Sequence, residues 1–236
     1  MNILSVCRVL VTALIAGIAL PGCTTDLSAP SYQKAAEEPH YDGPPKVIYR
    51  IDDHRFVSLE NYDRCYGDTY YNNTRLGIRH KLARGGGIVT YLGRLIIDDP
   101  TEMNVVIPSA PGGGCSSRGC NASLVYSTDG GNTFHGMYYI EGSQAASKDS
   151  ERYTIAVTKD KFYVAERSYN SFNRDLYVKE YPLVRGIDFD QPYPPGVHGR
   201  NFAAPDTPTF PVGIRTPSGQ DRFICDMSVS DGTSKK

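Results

Sequence analysis

From Val47 onward the apolar side chains recur at every second position, a period that buries one face of a β-strand but not one face of a helix. Val47, Tyr49 and Ile51 alternate with polar neighbours, Asp52-Asp53-His54 offers a turn, and Phe56-Val57-Ser58-Leu59 returns. The same pattern predicts strands over residues 76–82 and 88–97, separated by Gly85-Gly86-Gly87. Tyr153, Ile155 and Val157 line one face of another strand. Lys159-Asp160 turns it and Phe162-Tyr163-Val164-Ala165 completes a hairpin. Residues 171–178 add a further strand, and only residues 33–38 suggest a turn or two of helix. The expectation is an all-β, mainly antiparallel domain, either a small propeller-like fold or a sandwich.

Residues 182–217 break this rhythm, holding eight of the sixteen prolines. Proline has no N–H for a β-ladder and is confined to edges and turns, so the segment reads as a long loop laid over the sheets. Residues 221–229 (DRFICDMSV) then return as a final strand, which would carry Cys225 into the core.

The N-terminus speaks about compartment. Behind Arg8, residues 9–20 (VLVTALIAGIAL) form an apolar run of 12 residues. That falls short of the roughly 20 residues needed to cross a ~30 Å hydrocarbon core and has the length of a signal-peptide core. Leu20-Pro21-Gly22-Cys23 follows and resembles the lipobox of bacterial lipoproteins. The resemblance implies cleavage before Cys23, a diacylglyceryl group on its thiol, and, with Thr24 next, anchoring in the outer membrane. The chain then divides into a signal peptide (1–22), a lipidated flexible tether (23–45), a β domain (46–229) and a disordered tail (230–236). Such a tether spans about 25 Å. A formal net charge of −1 gives no electrostatic footprint for nucleic acid, and contact with membrane is expected only through the lipid.

With Cys7 in the signal and Cys23 lipidated, Cys65, Cys115, Cys120 and Cys225 remain, an even number in an oxidising compartment. Of three pairings, Cys115–Cys120 and Cys65–Cys225 are favoured. Glycines 112–114 and 119 let the first pair close, and the second ties an early strand to the end of the chain. A four-thiolate zinc site competes, but its ligands would be widely separated and the C-x₄-C spacing is unusual for zinc.

Chemistry-bearing motifs are scarce. His40, His54, His80, His135 and His198 show no metal spacing. There is no G-x-S-x-G elbow, and the glycine runs lack the Lys-Ser/Thr of a phosphate cradle. Asp52-Asp53 and Asp98-Asp99 read as solvated turns. No catalytic residue, metal or cofactor is expected. Ser127, Asp129, Gly131, Thr133 and Phe134 match the Asp-box of sialidase-like propellers, a structural hairpin turn in which the Asp accepts backbone N–H bonds and the aromatic packs beneath. Only one box is visible, which argues against a sialidase but keeps a carbohydrate-binding or carbohydrate-active lipoprotein as the alternative. The chain has 17 tyrosines and no tryptophan. Several tyrosines fall in polar stretches read as loops: Tyr66, Tyr70 and Tyr71 with Arg75, then Tyr169 with Phe172 and Arg174. Tyr and Arg combine contact area with hydrogen bonding and are favoured in interfaces.

Together with the lipobox, Glu60-Asn61-Tyr62-Asp63-Arg64-Cys65-Tyr66-Gly67-Asp68-Thr69-Tyr70-Tyr71, then Leu76-Gly77-Ile78 and Phe223-Ile224-Cys225, resemble immunity lipoproteins of type VI secretion lipase effectors. The resemblance spans roughly residues 46–229 and implies a periplasmic antitoxin that binds a secreted phospholipase. It supplies no catalytic residues. Tyr66, Tyr70, Tyr71 and Arg75 are the expected contacts, with residues 182–217 the next candidate.

Overall fold

The computed structural model describes residues 40–168, 175–205 and 210–226. The signal segment, Cys23, the tether up to residue 39, the helical turn expected at residues 33–38, the tyrosine stretch at 169–174 and the tail at 230–236 lie outside them. Just before the first strand, the Tyr41 N–H donates to Asn61 Oδ1 at 2.7 Å.

The architecture is all-β and almost wholly antiparallel. The first sheet is a four-stranded meander of β1 (Lys46–Arg50), β2 (Arg55–Asp63), β3 (Tyr66–Asn73) and β4 (Ile78–Gly85), in that order. After β5 (Arg94–Ile97), a three-stranded meander follows: β6 (Val105–Pro108), β7 (Cys120–Ser127) and β8 (His135–Ser143). A single turn of helix, α1 (Ala146–Ser150), leads into β9 (Tyr153–Val157), β10 (Lys161–Arg167), β11 (Asp175–Pro182) and β12 (Arg200–Pro205). These four form the third meander, and β5 joins its inner edge in parallel with β9.

One core serves all three sheets. Tyr49, Val57, Leu59 and Tyr71 from the first meet Val106, Leu124 and Tyr126 from the second and Ile155, Phe162 and Val164 from the third. The third sheet is covered on its other face too, where Leu176, Val178 and Ala204 pack with Phe210. Two covered faces explain why every residue of β9 is buried and why its sequence, YTIAV, has no polar alternation.

Several expectations need correction. The predicted strand at 88–97 is two things. Ile88 and Tyr91 sit in a buried turn, and only Arg94–Ile97 pairs. Residues 182–217 are not one loop, because β12 lies within them as an edge strand. An edge needs ladder donors on one side only, so Pro205 is tolerated at its end. Asp99 is not a solvated turn acid. It is 2% exposed, and its carboxylate accepts the Thr101 and Asn104 N–H groups at 2.9 and 2.8 Å.

The expected final strand is instead a strap; its residues 221–226 are in no strand, and 227–229 lie outside the described residues. From Thr216 onward it runs between the free edges of the first and third sheets. Ser218 N and Ile224 N donate to Ile51 and Ile48 carbonyls of the β1 side, while Leu95 N on β5 donates to Asp221 O. Side chains make the remaining bonds: Gln220 Oε1 accepts from Arg50 N, and Thr216 Oγ1 accepts from Ile97 N and meets the Tyr49 hydroxyl. The strap thus caps two sheet edges that would otherwise be exposed. It ends at Cys225, which is half-buried rather than in the core and is joined to Cys65. A second disulfide joins Cys115 to Cys120.

Candidate functional site

The stretch at 66–75, expected as a loop, is β3 and its turn to β4. Alternation along β3 sends Asp68, Tyr70 and Asn72 to one face and Tyr71 to the other. Tyr71 is fully buried, its ring edge-on to Phe134 at 5.7 Å, so it is a core residue and cannot touch a partner. Tyr66, 61% exposed, and Arg75 lie at opposite ends of the strand, roughly 25 Å apart. The four residues do not form one patch.

What β3 does build is the outer face of the first sheet. Tyr70 lies beneath Arg79 of β4, whose guanidinium carbon is 3.7 Å from the ring centroid. Glu60 of β2 holds that guanidinium at 2.6 Å, and this hydrogen bond pushes the Arg79 pKa up against a smaller opposing effect of burial. Ser58 Oγ donates to Glu60 at 3.1 Å and accepts from Asn72 Nδ2 at 2.9 Å. Further along, Asp68 pairs with Lys81 at 2.9 Å and Arg84 at 3.1 Å. Burial alone would raise the Asp68 pKa, but Lys81, Arg84 and Asn61 more than reverse it. Arg50 adds a second guanidinium over an aromatic ring, 5.4 Å from the Phe56 centroid. This face is a lattice of cations, rings and carboxylates whose geometry is set before any partner arrives.

A second polar cluster closes the end of the sheet. His54, with a side chain 10% exposed, places Nδ1 at 2.5 Å from Asp53 and Nε2 at 3.0 Å from Glu102. Arg75 bridges Glu102 at 2.9 Å and approaches Nδ1 at 3.1 Å. Asp52 is held by Arg55 at 2.7 Å. Asp52, Asp53 and His54 converge within metal-ligand range, yet the arginines already answer the carboxylates. The arrangement is an ion-pair network that locks two turns together. Burial favours neutral His54, but the bonds to Asp53 and Glu102 and the Asp52 and Glu102 charges outweigh it and raise its pKa above 6.5. A raised value means that stability gained from the protonated ring is complete below 6.5 and lost as pH climbs through the folded-state value. An NMR titration should place the His54 pKa above 6.5, and a value below it would contradict the network.

The hairpin between β7 and β8 docks the second sheet on the first. Asp129 accepts from Ser127 Oγ (2.8 Å), Thr133 N (3.0 Å) and Thr133 Oγ1 (2.7 Å), while Gly131 N donates to Ser127 Oγ at 2.9 Å. Phe134 then packs against His80 and Tyr71.

Sequence reasoning missed an aromatic cavity of about 630 Å³ between β8, the end of β11 and the segment after it, where Tyr138, Tyr181, Phe189 and Tyr193 face the space with Glu141 and Asp190. Two stretches about forty residues apart in sequence, 138–141 and 181–193, supply these residues. The one signal available in the sequence was the recurrence of tyrosine in polar surroundings.

The fold is an all-β domain whose first sheet carries an ion-paired outer face, and the class of protein it defines comes from comparison with known families. Residues 41–166 match the family model described as T6SS Tli3 immunity protein, T6SS being the type VI secretion system. The match covers more than half of the 236 residues, and the chain belongs to that family of immunity proteins. No curated protein matches it. The matched span contains the whole first sheet, the second sheet, and β5, β9 and most of β10.

Proposed function

We propose that this immunity protein binds and inhibits a lipase effector of the type VI secretion system in the periplasm, where lipid on Cys23 holds it at the outer membrane. The observation that carries the reading is the Tyr70–Arg79–Glu60 lattice, in which an exposed Arg79 covers a half-buried Tyr70 and Glu60, on a sheet that lies inside the family match. A lipase works by admitting lipid to a nucleophile in a cleft, often beneath a mobile lid. A rigid face inhibits it by covering the cleft or locking the lid, with no reaction of its own.

Rigidity matters to affinity. Ordering a long side chain on binding costs about 0.5–1.5 kcal/mol, and Arg79 is already held by Glu60 and the Tyr70 ring. Protection must outlast exposure, so a nanomolar complex is expected, about −12 kcal/mol. Tyr70 and Arg79 form the centre of the proposed contact.

The test takes as candidate effector a lipase encoded by an adjacent open reading frame and measures its affinity for this protein. Tyr70→Ala and Arg79→Ala should each weaken the complex by about 2 kcal/mol or more at unchanged melting temperature. Arg75→Ala should cost less, since Arg75 lies away from that centre, in the His54–Glu102 cluster at the end of the sheet. Unchanged affinity in both central variants would remove this face from the interface.

A further inference from the structure

The cavity between β8 and β11 has a composition that selects its occupant. Its walls are rings. Tyr181 and Phe189 stand 5.4 Å apart at 65°, and Phe189 meets Tyr193 at 6.0 Å and 68°. These rings are continuous with the core, since Phe162 stacks on Tyr181 at 4.6 Å and Tyr126 contacts Phe189 at 4.6 Å. The Phe189 N–H also donates to the Tyr126 hydroxyl at 3.0 Å, so the wall cannot swing aside. At the mouth Tyr138 is 59% exposed and Tyr193 is 36% exposed.

The only charges on the described lining are the carboxylates of Glu141 and Asp190; no lysine or arginine is among those residues. Lys179 and Arg200 line a neighbouring cavity that shares Tyr181 and Tyr193 with this one, and Arg200 is paired there with Glu180 at 3.1 Å. Ring faces carry negative potential and attract a cation, and Arg is the side chain that combines charge with a plane for stacking. Glu141 and Asp190 are exposed at the mouth, where a neutral occupant gains nothing from them and a cation gains their attraction.

We propose that this cavity seats a cationic side chain, an arginine before a lysine, projected by the effector. The inference rests on the binding reading above and adds to it a second contact. That contact lies away from the first sheet and is completed by residues 181–193, beyond the family match.

The experiment has two arms. In the first, the full chain carrying Cys23→Ser, and therefore unlipidated, is titrated with N-acetyl-arginine amide and followed by NMR. Saturable shifts of the Tyr138, Phe189 and Tyr193 rings are expected, with a dissociation constant on the order of 10 mM. N-acetyl-glutamine amide should produce none, and Glu141→Gln with Asp190→Asn should weaken arginine binding at least tenfold. Absence of saturable arginine binding, or binding equal in the double variant, overturns the proposal. So does preferential binding of chitotriose, which would make the cavity a glycan site. In the second arm, the double variant and Tyr138→Ala should each weaken the complex with the neighbouring lipase at least tenfold. If the unaltered chain binds the lipase and these variants bind it equally well, the cavity is not a contact. If the unaltered chain fails to bind the lipase at all, the inhibitory reading falls, while the arginine titration still decides the chemistry of the cavity.

Discussion

Replacing Cys65 and Cys225 together with alanine is expected to lower the unfolding free energy by about 5 kcal/mol. The bridge closes a loop of 160 residues, and the chain-entropy relation gives that figure for a loop of such length. The structure says where the loss will be felt. Cys225 pins the end of the strap, and the strap caps the open edges of β1 and β5 through Ile48, Ile51 and Leu95. Without the bridge the strap should fray from its end, so limited proteolysis should cut near residues 216–226 before the sheets unfold. Loss of the Cys115–Cys120 bridge provides the contrast. It spans only five residues, and the same relation gives about 2 kcal/mol. Chemical denaturation of both double variants checks the pair, and equal losses would contradict the role assigned to the strap.

Gly131→Ala is expected to destabilise the fold by about 3 kcal/mol, while Gly130→Ala, its neighbour in the same turn, costs about 1 kcal/mol. Both glycines have positive φ, +94° and +77°, so both substitutions strain the backbone. They differ in what a methyl group would meet. At Gly131 a Cβ would stand 2.1 Å from Cε1 of Tyr71, a ring fully enclosed by the core, whereas at Gly130 the nearest atom is 3.6 Å away. The turn must therefore yield, and with it the Phe134 contact that joins the second sheet to the first. Thermal melts should separate the two variants by several degrees. Equal midpoints would show that backbone strain alone decides the site.

How much of this was legible in the sequence depended on which face each strand turned to water. The β9–β10 hairpin was readable because Tyr153, Ile155 and Val157 alternate up to Lys159-Asp160 and Phe162 resumes the pattern. The β7–β8 hairpin announced its turn through Ser127 to Phe134. β3 was taken for a loop because its outward residues, Asp68, Tyr70 and Asn72, are polar and its inward partners include Thr69 and Asn73, both buried. Hydropathy cannot see a strand whose buried side is partly polar. The strap misled in the opposite sense. Its apolar Phe223 and Ile224 look like a strand, but its backbone bonds to Ile51, Ile48 and Leu95 are interspersed with Gln220, Thr216 and Ser218 side-chain bonds and build no regular ladder. β12 was hidden by the prolines around it. As for the site, Tyr70 and Arg75 could be chosen by residue type. Their separation, the burial of Tyr71 and the partnership of Tyr70 with Arg79 depend on register, which composition does not carry. The aromatic cavity was beyond reach, since its walls come from residues more than forty positions apart.

The central claim is that this chain neutralises a lipase effector by binding it. The most direct measurement directs the neighbouring lipase to the periplasm of a sensitive host, with and without this protein, and counts survivors. Cells carrying both should survive, cells carrying the lipase alone should lyse, and Tyr70→Ala combined with Arg79→Ala should restore killing although the variant still accumulates. Equal death with and without the unaltered protein, together with no complex between the purified pair, would contradict the account.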